Sequence, residues 1–460
     1  MGNKKNAWLK FDNTKKEEIF SFCEGYKKYI SDCKTERESI KEAIYLAESK
    51  GYRDLKNVIS AGKSLKAGDK VYYNNMDKSL ALFLIGSESI ESGMRIIGSH
   101  VDSPRLDLKP NPLYEDSELS LMETHYYGGV KKYQWVTIPL ALHGVVVKKD
   151  GTKIDVVVGE EETDPVVMVS DLLVHLASEQ QQKKATEVIA GEDLNILVGS
   201  MPLEGEEKEA VKANILKLLK EKYDFEEEDF MSAEIEIVPA GKARDLGLDR
   251  SMVAGYGHDD RICAYTSLLA LLETENTKKT SVVLLVDKEE VGSIGATGMQ
   301  SRFFENAVAE LMDRVGEYSE LKLRRALANS KMLSSDVTAA FDPNYAGAYE
   351  KKNSAFFGKG LAFAKYTGAR GKSGCNDANA EFVAWLRNVM DENDVAYQMA
   401  ELGKVDQGGG GTIAYILAEY GMEVIDCGVA LQNMHAPWEV ASKVDIFETM
   451  RGYKAFLMAE

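Results

Sequence analysis

The order of apolar and polar positions predicts helices and strands that alternate along most of the chain. Between residues 14 and 50, apolar side chains recur at helical spacing among Lys and Glu, which predicts two amphipathic helices. Between residues 70 and 98, three short apolar runs predict strands, the last from Met94 to Gly98. Helices and strands alternate again after Ser251, with one helix predicted over residues 303–321. This order predicts an α/β domain of three layers, with a mixed sheet flanked by helices.

Residues 106–243 interrupt that order. Short runs of alternating polarity are separated by acidic turns, as at residues 133–140, 144–148 and 153–158, and one helix is predicted near residues 211–220. This pattern is typical of a β-rich insertion. The chain is therefore expected to comprise a first α/β segment, an inserted domain and a second α/β segment, over residues 1–105, 106–243 and 244–460.

The stretch from Ser281 to Gly298 carries the clearest chemical signal. A continuous Val/Leu run is typical of a strand covered on both faces, and it leads directly into Asp287, Glu289 and Glu290. The carboxyl ends of such strands are where α/β enzymes place their ligands. Adjacent carboxylates repel each other where water is partly excluded, so a positive group is expected beside them. A metal ion and an arginine both meet that requirement.

Composition narrows the classes of protein that remain. Asp and Glu outnumber Lys and Arg by 74 to 56 in 460 residues, and the net charge of -18 argues against a nucleic-acid surface. The five scattered cysteines indicate free thiols in a reducing compartment. The first residues are charged, and no stretch approaches the ~20 apolar residues of a membrane span. We therefore expect a cytoplasmic protein without a membrane or nucleic-acid partner.

Several side chains with metal-ligand chemistry follow predicted strands or begin predicted helices: His100, Asp259, Glu289, Glu290, Asp336 and His435. His100 belongs to a His-x-Asp triplet, in which a nearby carboxylate such as that of Asp102 can orient the imidazole of a ligand. Imidazole and carboxylate ligands suit zinc, cobalt or manganese, and one bridging carboxylate can join two ions ~3.5–4 Å apart. The structural alternative is a set of separate ion pairs at helix starts.

Three further segments carry weaker signals. Gly371-Lys-Ser lacks the first glycine of a phosphate loop, because Tyr366 occupies that position. The glycines of residues 408–411 permit close backbone approach to a substrate, with Gly409 and Gly410 as the candidate contacts. His258, beside the aspartate pair, is interpreted as a decoy that resembles a ligand.

Five motifs, taken in order, resemble those of the aspartyl aminopeptidase and vacuolar aminopeptidase I family of two-zinc peptidases. They are Ser99-His-Val-Asp-Ser-Pro-Arg, Asp259-Asp-Arg, Asp287-Lys-Glu-Glu-Val-Gly-Ser, Ser335-Asp-Val and Asn433-Met-His. The resemblance spans nearly the whole chain. It implies that His100 and Asp336 hold one zinc ion, that Glu290 and His435 hold the other, and that Asp259 bridges the two.

The same resemblance implies further roles. Glu289 becomes the general base toward a water molecule that the metals activate, Asp102 supports His100, and the peptide bond between Asp259 and Asp260 is cis. The family inserts a β-rich dimerisation domain into its catalytic domain and assembles dimers into tetrahedral dodecamers. Asp171-Leu-Leu-Val-His-Leu resembles the segment whose histidine reaches the active site of a neighbouring subunit, which implies that role for His175. By pattern alone, a histidine in an apolar helix is a packed one.

Departures from the family pattern concern the substrate. Members specific for aspartate carry Asp-Asn where this chain has Asp259 and Asp260, and their pocket lysine can be matched only to Lys359, before Gly360. A preference for acidic N-terminal residues and a neutral or broad preference are therefore both open. Two other functions also remain: a deacylase or carboxypeptidase that uses the same ligands, and a shell-forming or cargo protein that has kept the fold without activity.

Overall fold

The computed structural model of the chain describes residues 5–368 and 371–460. Its contacts divide the chain into two compact units. The first, here called the α/β unit, comprises residues 1–102, 243–434 and 439–460, and the second, the β-rich unit, comprises residues 103–242 and 435–438. The chain thus leaves the α/β unit after Asp102 and re-enters it at Ala243, and it makes a second short excursion at His435–Trp438.

The strands are numbered along the chain within the described residues. They are β1 Arg53–Asp54, β2 Lys70–Asn75, β3 Ser79–Leu84, β4 Arg95–His100, β5 Arg105–Asp116, β6 Leu119–Tyr127, β7 Leu140–Val147, β8 Lys153–Val158, β9 Met168–Val169, β10 Ile196–Gly199, β11 Ala233–Pro239, β12 Arg244–Leu246, β13 Met252–Gly255, β14 Ser281–Val286, β15 Lys331–Ser335, β16 Thr338–Ala339, β17 Leu361–Ala364, β18 Tyr397–Met399, β19 Glu423–Gly428, β20 Ala430–Gln432 and β21 Glu439–Ser442.

The helices are numbered in the same way, again within the described residues. They are α1 Asn13–Asp32, α2 Glu36–Ser49, α3 Leu55–Ser60, α4 Ala210–Tyr223, α5 His258–Leu272, α6 Phe303–Arg314, α7 Glu320–Ala328, α8 Ala380–Glu392, α9 Ala414–Ala418 and α10 Lys443–Met458. The two predicted N-terminal helices are confirmed as α1 and α2, and α2 begins with a capping box between Thr35 and Glu38.

The main sheet of the α/β unit has the strand order β1-β2-β3-β14-β4-β15-β19-β17-β18 among the described residues. Strands β14, β4, β15 and β19 are parallel neighbours, whereas β3 runs antiparallel to β14 and β17 runs antiparallel to β19. All six residues of β14 and of β4 are buried, as the continuous apolar run predicts. The carboxyl ends of these four parallel strands therefore lie along one edge of the sheet.

Two hydrophobic cores lie on opposite faces of this sheet. Val283 and Leu285 of β14 belong to one core, which includes residues of α1, α2, α5, α8 and α10. Val282, Leu284 and Val286 belong to the other core, which includes residues of α6, α7 and α9. Alternate side chains of a strand point to opposite faces, so β14 contributes to both. The predicted three-layer α/β arrangement is confirmed.

The second sheet of the α/β unit has the order β12-β13-β21-β20-β16 among the described residues. Strand β13 pairs with β21, with Gly255 opposite Glu439. Helix α5 begins only three residues after β13, and Gly257 caps it with a φ of 73°. A glycine tolerates this left-handed conformation, and an added Cβ at this position would also meet the Arg261 guanidinium.

The β-rich unit contains a sheet of order β8-β7-β11-β5-β6-β10-β9 in the described chain, with every neighbouring pair antiparallel. Helix α4 is confirmed. The prediction of a strand over residues 133–140 is wrong, because residues 132–134 form a short 3-10 turn and β7 begins only at Leu140. The dimerisation role of this unit stays a prediction.

One predicted helix is shorter than expected. Helix α6 ends at Arg314, Gly316 follows with a φ of 78°, and Ser319 caps a new helix, α7. A glycine with positive φ is typical of a helix end, so the predicted helix over residues 303–321 is two helices instead. No helix of the described residues is long and apolar enough to cross a membrane.

Candidate metal centre

Three neighbouring strands of the main sheet bring most of the predicted ligands to one edge. His100 is the last residue of β4 and lies opposite Val286, the last residue of β14. Glu289 and Glu290 follow β14 in a short 3-10 turn, and Asp336 follows β15 directly. Since β4 is parallel to both other strands, their carboxyl ends lie side by side.

The His100 imidazole is the centre of this group. It is 2% exposed, and its Nε2 lies 3.2 Å from Asp259 Oδ1, 3.9 Å from Glu289 Oε2 and 4.0 Å from Asp336 Oδ1. Its Nδ1 lies 2.9 Å from the backbone oxygen of Asp102 and 3.3 Å from the Asp102 Oδ1. One ring nitrogen is thus directed by Asp102, and the other faces the carboxylates.

The start of α5 supplies two aspartates. The peptide bond between Asp259 and Asp260 is cis, as the resemblance implies. The Asp259 N–H donates to Glu439 Oε2 at 3.0 Å, and Asp260 Oδ2 accepts the backbone N–H of His100 at 3.3 Å. Both aspartates are buried. They are therefore held by contacts to strands that lie far away in the sequence.

Two groups of side chains in the α/β unit have the geometry to hold a metal ion. One is His100, Asp260 and Asp336, and the other is His100, Glu289 and Glu290; in each group the ligand atoms lie within 4.8 Å of one another. Zinc binds imidazole nitrogen and carboxylate oxygen at about 2.0–2.2 Å, so the spacing and donor chemistry fit such an ion. Asp260 enters the first group, although its sequence position assigned it no ligand role.

The electrostatics of the group favour a bound cation. Burial raises the pKa of Asp336 well above its usual range, and the charge of Asp260 raises it further. Burial also raises the pKa of Asp260. Desolvation lowers the pKa of His100, but hydrogen bonds to Asp102 and Asp259 outweigh it, so the net pKa is raised. Where several carboxylates lie close together, a bound divalent cation supplies the positive charge that balances them.

Arg261 and His258 flank the aspartate pair but are engaged elsewhere. The Arg261 guanidinium donates to the backbone oxygens of Lys34, Tyr256 and Gly257. His258 is fully buried, its Nδ1 lies 2.5 Å from the Tyr26 hydroxyl, and burial lowers its pKa to about 3. His258 is in none of the metal-competent groups of the described residues. It is a packed neutral histidine, in agreement with its interpretation as a decoy.

His435 lies in the β-rich unit. Its Nδ1 lies 2.8 Å from the backbone oxygen of Gly129, and its backbone has a φ of 64°. A backbone carbonyl that accepts from one ring nitrogen orients the other nitrogen of a metal-binding histidine. The role of His435 as a ligand stays a prediction.

The candidate substrate residues occupy loops of the α/β unit. Lys359 is half-buried and lies just before β17, which runs antiparallel to β19. The amino end of β17 thus lies at the same sheet edge as the carboxyl ends of the parallel strands. Gly410 accepts the Gly368 N–H at 3.0 Å, and an added Cβ there would meet nothing within 4 Å. Gly409 has a φ of 122°.

His175 lies on the β-rich unit in a turn segment, not in a helix. It is exposed, and four apolar neighbours are 45–68% exposed: Leu172, Leu173, Val174 and Leu176. The expectation of a packed helical histidine is wrong for this chain. Contiguous exposed apolar side chains are typical of a surface that another protein covers.

Comparison with known proteins identifies the family. Residues 29–457 match the model of aminopeptidase I zinc metalloproteases (M18). A probable M18 family aminopeptidase 1 of Clostridium acetobutylicum is 66% identical over 454 residues, covering 98% of each chain. The crystal structure of an M18 aminopeptidase from Thermotoga maritima is 46% identical, with a TM-score of 0.95 over 99% of each chain. The chain belongs to the M18 family of zinc aminopeptidases.

A more distant structure shares the fold. The mApe1 dodecamer of S. cerevisiae is 20% identical, with a TM-score of 0.77, and the match covers 95% of this chain and 96% of that chain. The match to the M18 family model and to the Clostridium relative confirms the family resemblance inferred from the five motifs, and with it the metallopeptidase class.

Proposed function

We propose that the protein is a two-metal aminopeptidase that removes N-terminal residues from peptides. The observation that carries the proposal is the position of the His100 imidazole, whose Nε2 faces carboxylates from three other segments: Asp259, Glu289 and Asp336. Membership of the M18 family supports zinc as the metal, and cobalt or manganese ions suit the same ligands.

In this proposal His100 and Asp336 would hold one ion, Glu290 and His435 would hold the other, and Asp259 would be a ligand that both share. A zinc ion bound there would supply Lewis-acid polarisation of the peptide carbonyl and would lower the pKa of a water molecule. Asp102 fixes the direction of the His100 ring through contacts of 2.9 and 3.3 Å. The excess of buried carboxylates around His100 supports a site built for divalent cations.

Glu289 acts as the general base. Its side chain is 16% exposed, so it can meet a water molecule, and its Oε2 lies 3.9 Å from His100 Nε2. The carboxylate takes a proton from the attacking water as the new C–O bond forms. It then returns the proton to the leaving amine nitrogen as the C–N bond breaks. Asp102 holds the Glu289 backbone in place for both transfers.

His175 contributes across a subunit boundary in this proposal. The imidazole donates a hydrogen bond to the developing oxyanion of a neighbouring subunit, and the exposed apolar residues beside it support burial against a second copy. The dodecamer described for a yeast protein of this fold supports an assembly of dimers into a dodecamer. A monomer is then nearly inactive, and we propose the cytoplasm as the location.

The preferred N-terminal residue is either acidic or neutral. Lys359 supports an acidic preference, because an ammonium group suits the side-chain carboxylate of an acidic N-terminal residue of the substrate. Asp260 supports a neutral or broad preference, because it stands where the aspartate-specific pattern has asparagine. Gly409 and Gly410 complete the proposed substrate contacts through their backbone.

A substrate panel tests the proposed reaction. The purified protein is reconstituted with zinc, cobalt or manganese and assayed on aminoacyl chromogenic substrates, their N-acetylated forms and peptides with blocked amino termini. Cleavage of free aminoacyl substrates alone supports an aminopeptidase. Cleavage of the N-acyl bond indicates a deacylase, and release of C-terminal residues indicates a carboxypeptidase. Two bound zinc ions without any cleavage indicate a non-enzymatic member of the family.

A further inference from the structure

A buried carboxylate in β19 lies next to the glycine-rich segment of residues 408–411. Asp426 is 3% exposed, and its Oδ1 accepts the Thr412 hydroxyl at 2.5 Å. Thr412 directly follows the glycines, so this bond fixes one end of that segment. The Thr412 oxygen also accepts the Ala414 N–H at 3.2 Å, which ties the same end to the start of α9.

The side chain of Asn376 joins a second loop to the same strand, because its amide donates to the backbone oxygen of Val424 at 2.8 Å. The two loops are joined to each other as well, because the Gly368 N–H donates to the Gly410 oxygen at 3.0 Å.

This anchor lies beside the strand end that leads to the candidate metal centre. Asp426 is opposite Ser334 of β15, and the Asp336 N–H donates to the Cys427 oxygen at 2.8 Å. Gly410 and Gly411 themselves have open space where a side chain would be, since an added Cβ meets nothing within 4 Å at either residue. The glycine segment is thus fixed at Thr412 and open at Gly410 and Gly411, whereas Gly408 packs against the backbone of Leu402.

We propose that Asp426 is a positioning residue for substrate binding, because its carboxylate holds Thr412 and thereby the backbone of residues 408–411 in the conformation that receives the substrate. The inference rests on the proposed aminopeptidase function. An ionised carboxylate offers only acceptors, which suits its position opposite the Thr412 hydroxyl. Loss of that acceptor leaves the hydroxyl without the partner that fixes it.

Paired variants at Thr412 test the inference. Thr412→Val removes the hydroxyl at nearly constant shape, whereas Thr412→Ser retains it. We expect Thr412→Val to raise KM about tenfold with little change in kcat or zinc content, since a hydrogen bond to a charged group is lost. Thr412→Ser restores a KM near that of the wild type. Thr274→Val, which removes a buried hydroxyl that bonds to the Ala270 oxygen within α5, leaves KM unchanged.

A double-mutant cycle connects the effect to Asp426. Asp426→Ala combined with Thr412→Val is expected to raise KM no further than Asp426→Ala alone, because alanine offers no acceptor and both changes remove the same bond. An active wild type whose KM is unaffected by Thr412→Val overturns this inference alone. A Thr412→Val variant that loses zinc also overturns it, by showing a structural effect on the metal centre. A zinc-loaded wild type that cleaves no aminoacyl substrate instead overturns the proposed function.

Discussion

The carboxylate of Asp102 accepts the backbone N–H of Glu289, with 3.2 Å between Oδ1 and the nitrogen. Its Oδ2 accepts the N–H of Glu290 at the same distance. The residue that directs the His100 ring therefore also fixes the turn that carries the proposed base and a proposed ligand. A single side chain links two of the strand ends at the metal centre.

Asp102→Asn is expected to weaken this link. The amide retains one acceptor but replaces the other with a donor, which faces a backbone N–H. Because changes to groups that orient metal ligands typically cost 10–100-fold in metal affinity or activity, we expect a loss of about that size. Zinc affinity by competition with a chromophoric chelator measures it. Asp107→Asn, on the β-rich unit, is the control, and equal affinities in the two variants contradict this role of Asp102.

The two histidines near the aspartate pair are expected to differ sharply. His100→Gln removes the central imidazole and lowers the zinc content. His258→Gln removes a histidine that is buried against Tyr26, so it lowers stability but leaves the zinc content unchanged. Metal analysis of both purified variants measures the difference. A loss of zinc from His258→Gln as large as the loss from His100→Gln contradicts the assignment.

Thiol reactivity is expected to be confined to one of the five cysteines. Cys23, Cys33, Cys263 and Cys427 are buried, whereas Cys375 is partly exposed. Burial raises the pKa of the Cys23 thiol to about 12, and only the thiolate is nucleophilic. Alkylation of the native protein at pH 8, followed by peptide mass spectrometry, should label Cys375 first. Labelling of Cys23 at the same rate without unfolding contradicts the expectation.

Stability is expected to depend on pH through Asp445. Burial raises its pKa from 3.8 to about 7, although the N–H groups of Gly358 and Gly360 favour the ionised form. Between these two pKa values the folded chain holds a proton that the unfolded chain releases, so this contribution to stability is full below pH 3.8 and is lost as the pH rises to about 7.

Asp445→Asn removes that dependence. The stability of the variant relative to the wild type is expected to increase from pH 4 to pH 8, by up to about 4 kcal/mol at about 1.4 kcal/mol per pKa unit. Chemical denaturation of both proteins at the two pH values measures the change. A difference in unfolding free energy that is equal at both pH values contradicts it.

Sequence patterns predicted the elements whose signal is local. The apolar run of residues 281–286 is a fully buried strand, and the residues that follow it lie at a sheet edge with His100. Contacts between distant segments carried no such signal. Glu439 accepts the Asp259 N–H across 180 residues of sequence, and only the pairing of β13 with β21 brings the two together.

The errors have the same physical origin. The apolar residues around His175 suggested a buried helix, but their side chains are exposed on the β-rich unit. Hydrophobic periodicity indicates that the apolar side chains of a segment are buried in the functional protein. It does not distinguish burial in the core from burial at an interface with another chain. Asp260 was likewise missed as a member of a metal-competent group, because adjacent aspartates look alike in sequence.

The most direct test of the account compares the wild type with Glu289→Gln. The amide keeps the size of the side chain but cannot accept the proton of the attacking water. We predict that both proteins bind the same number of zinc ions per chain, and that the variant turns over its best aminoacyl substrate at least about 100-fold more slowly. A variant that retains its zinc and a rate near that of the wild type contradicts the assignment of Glu289 as the base.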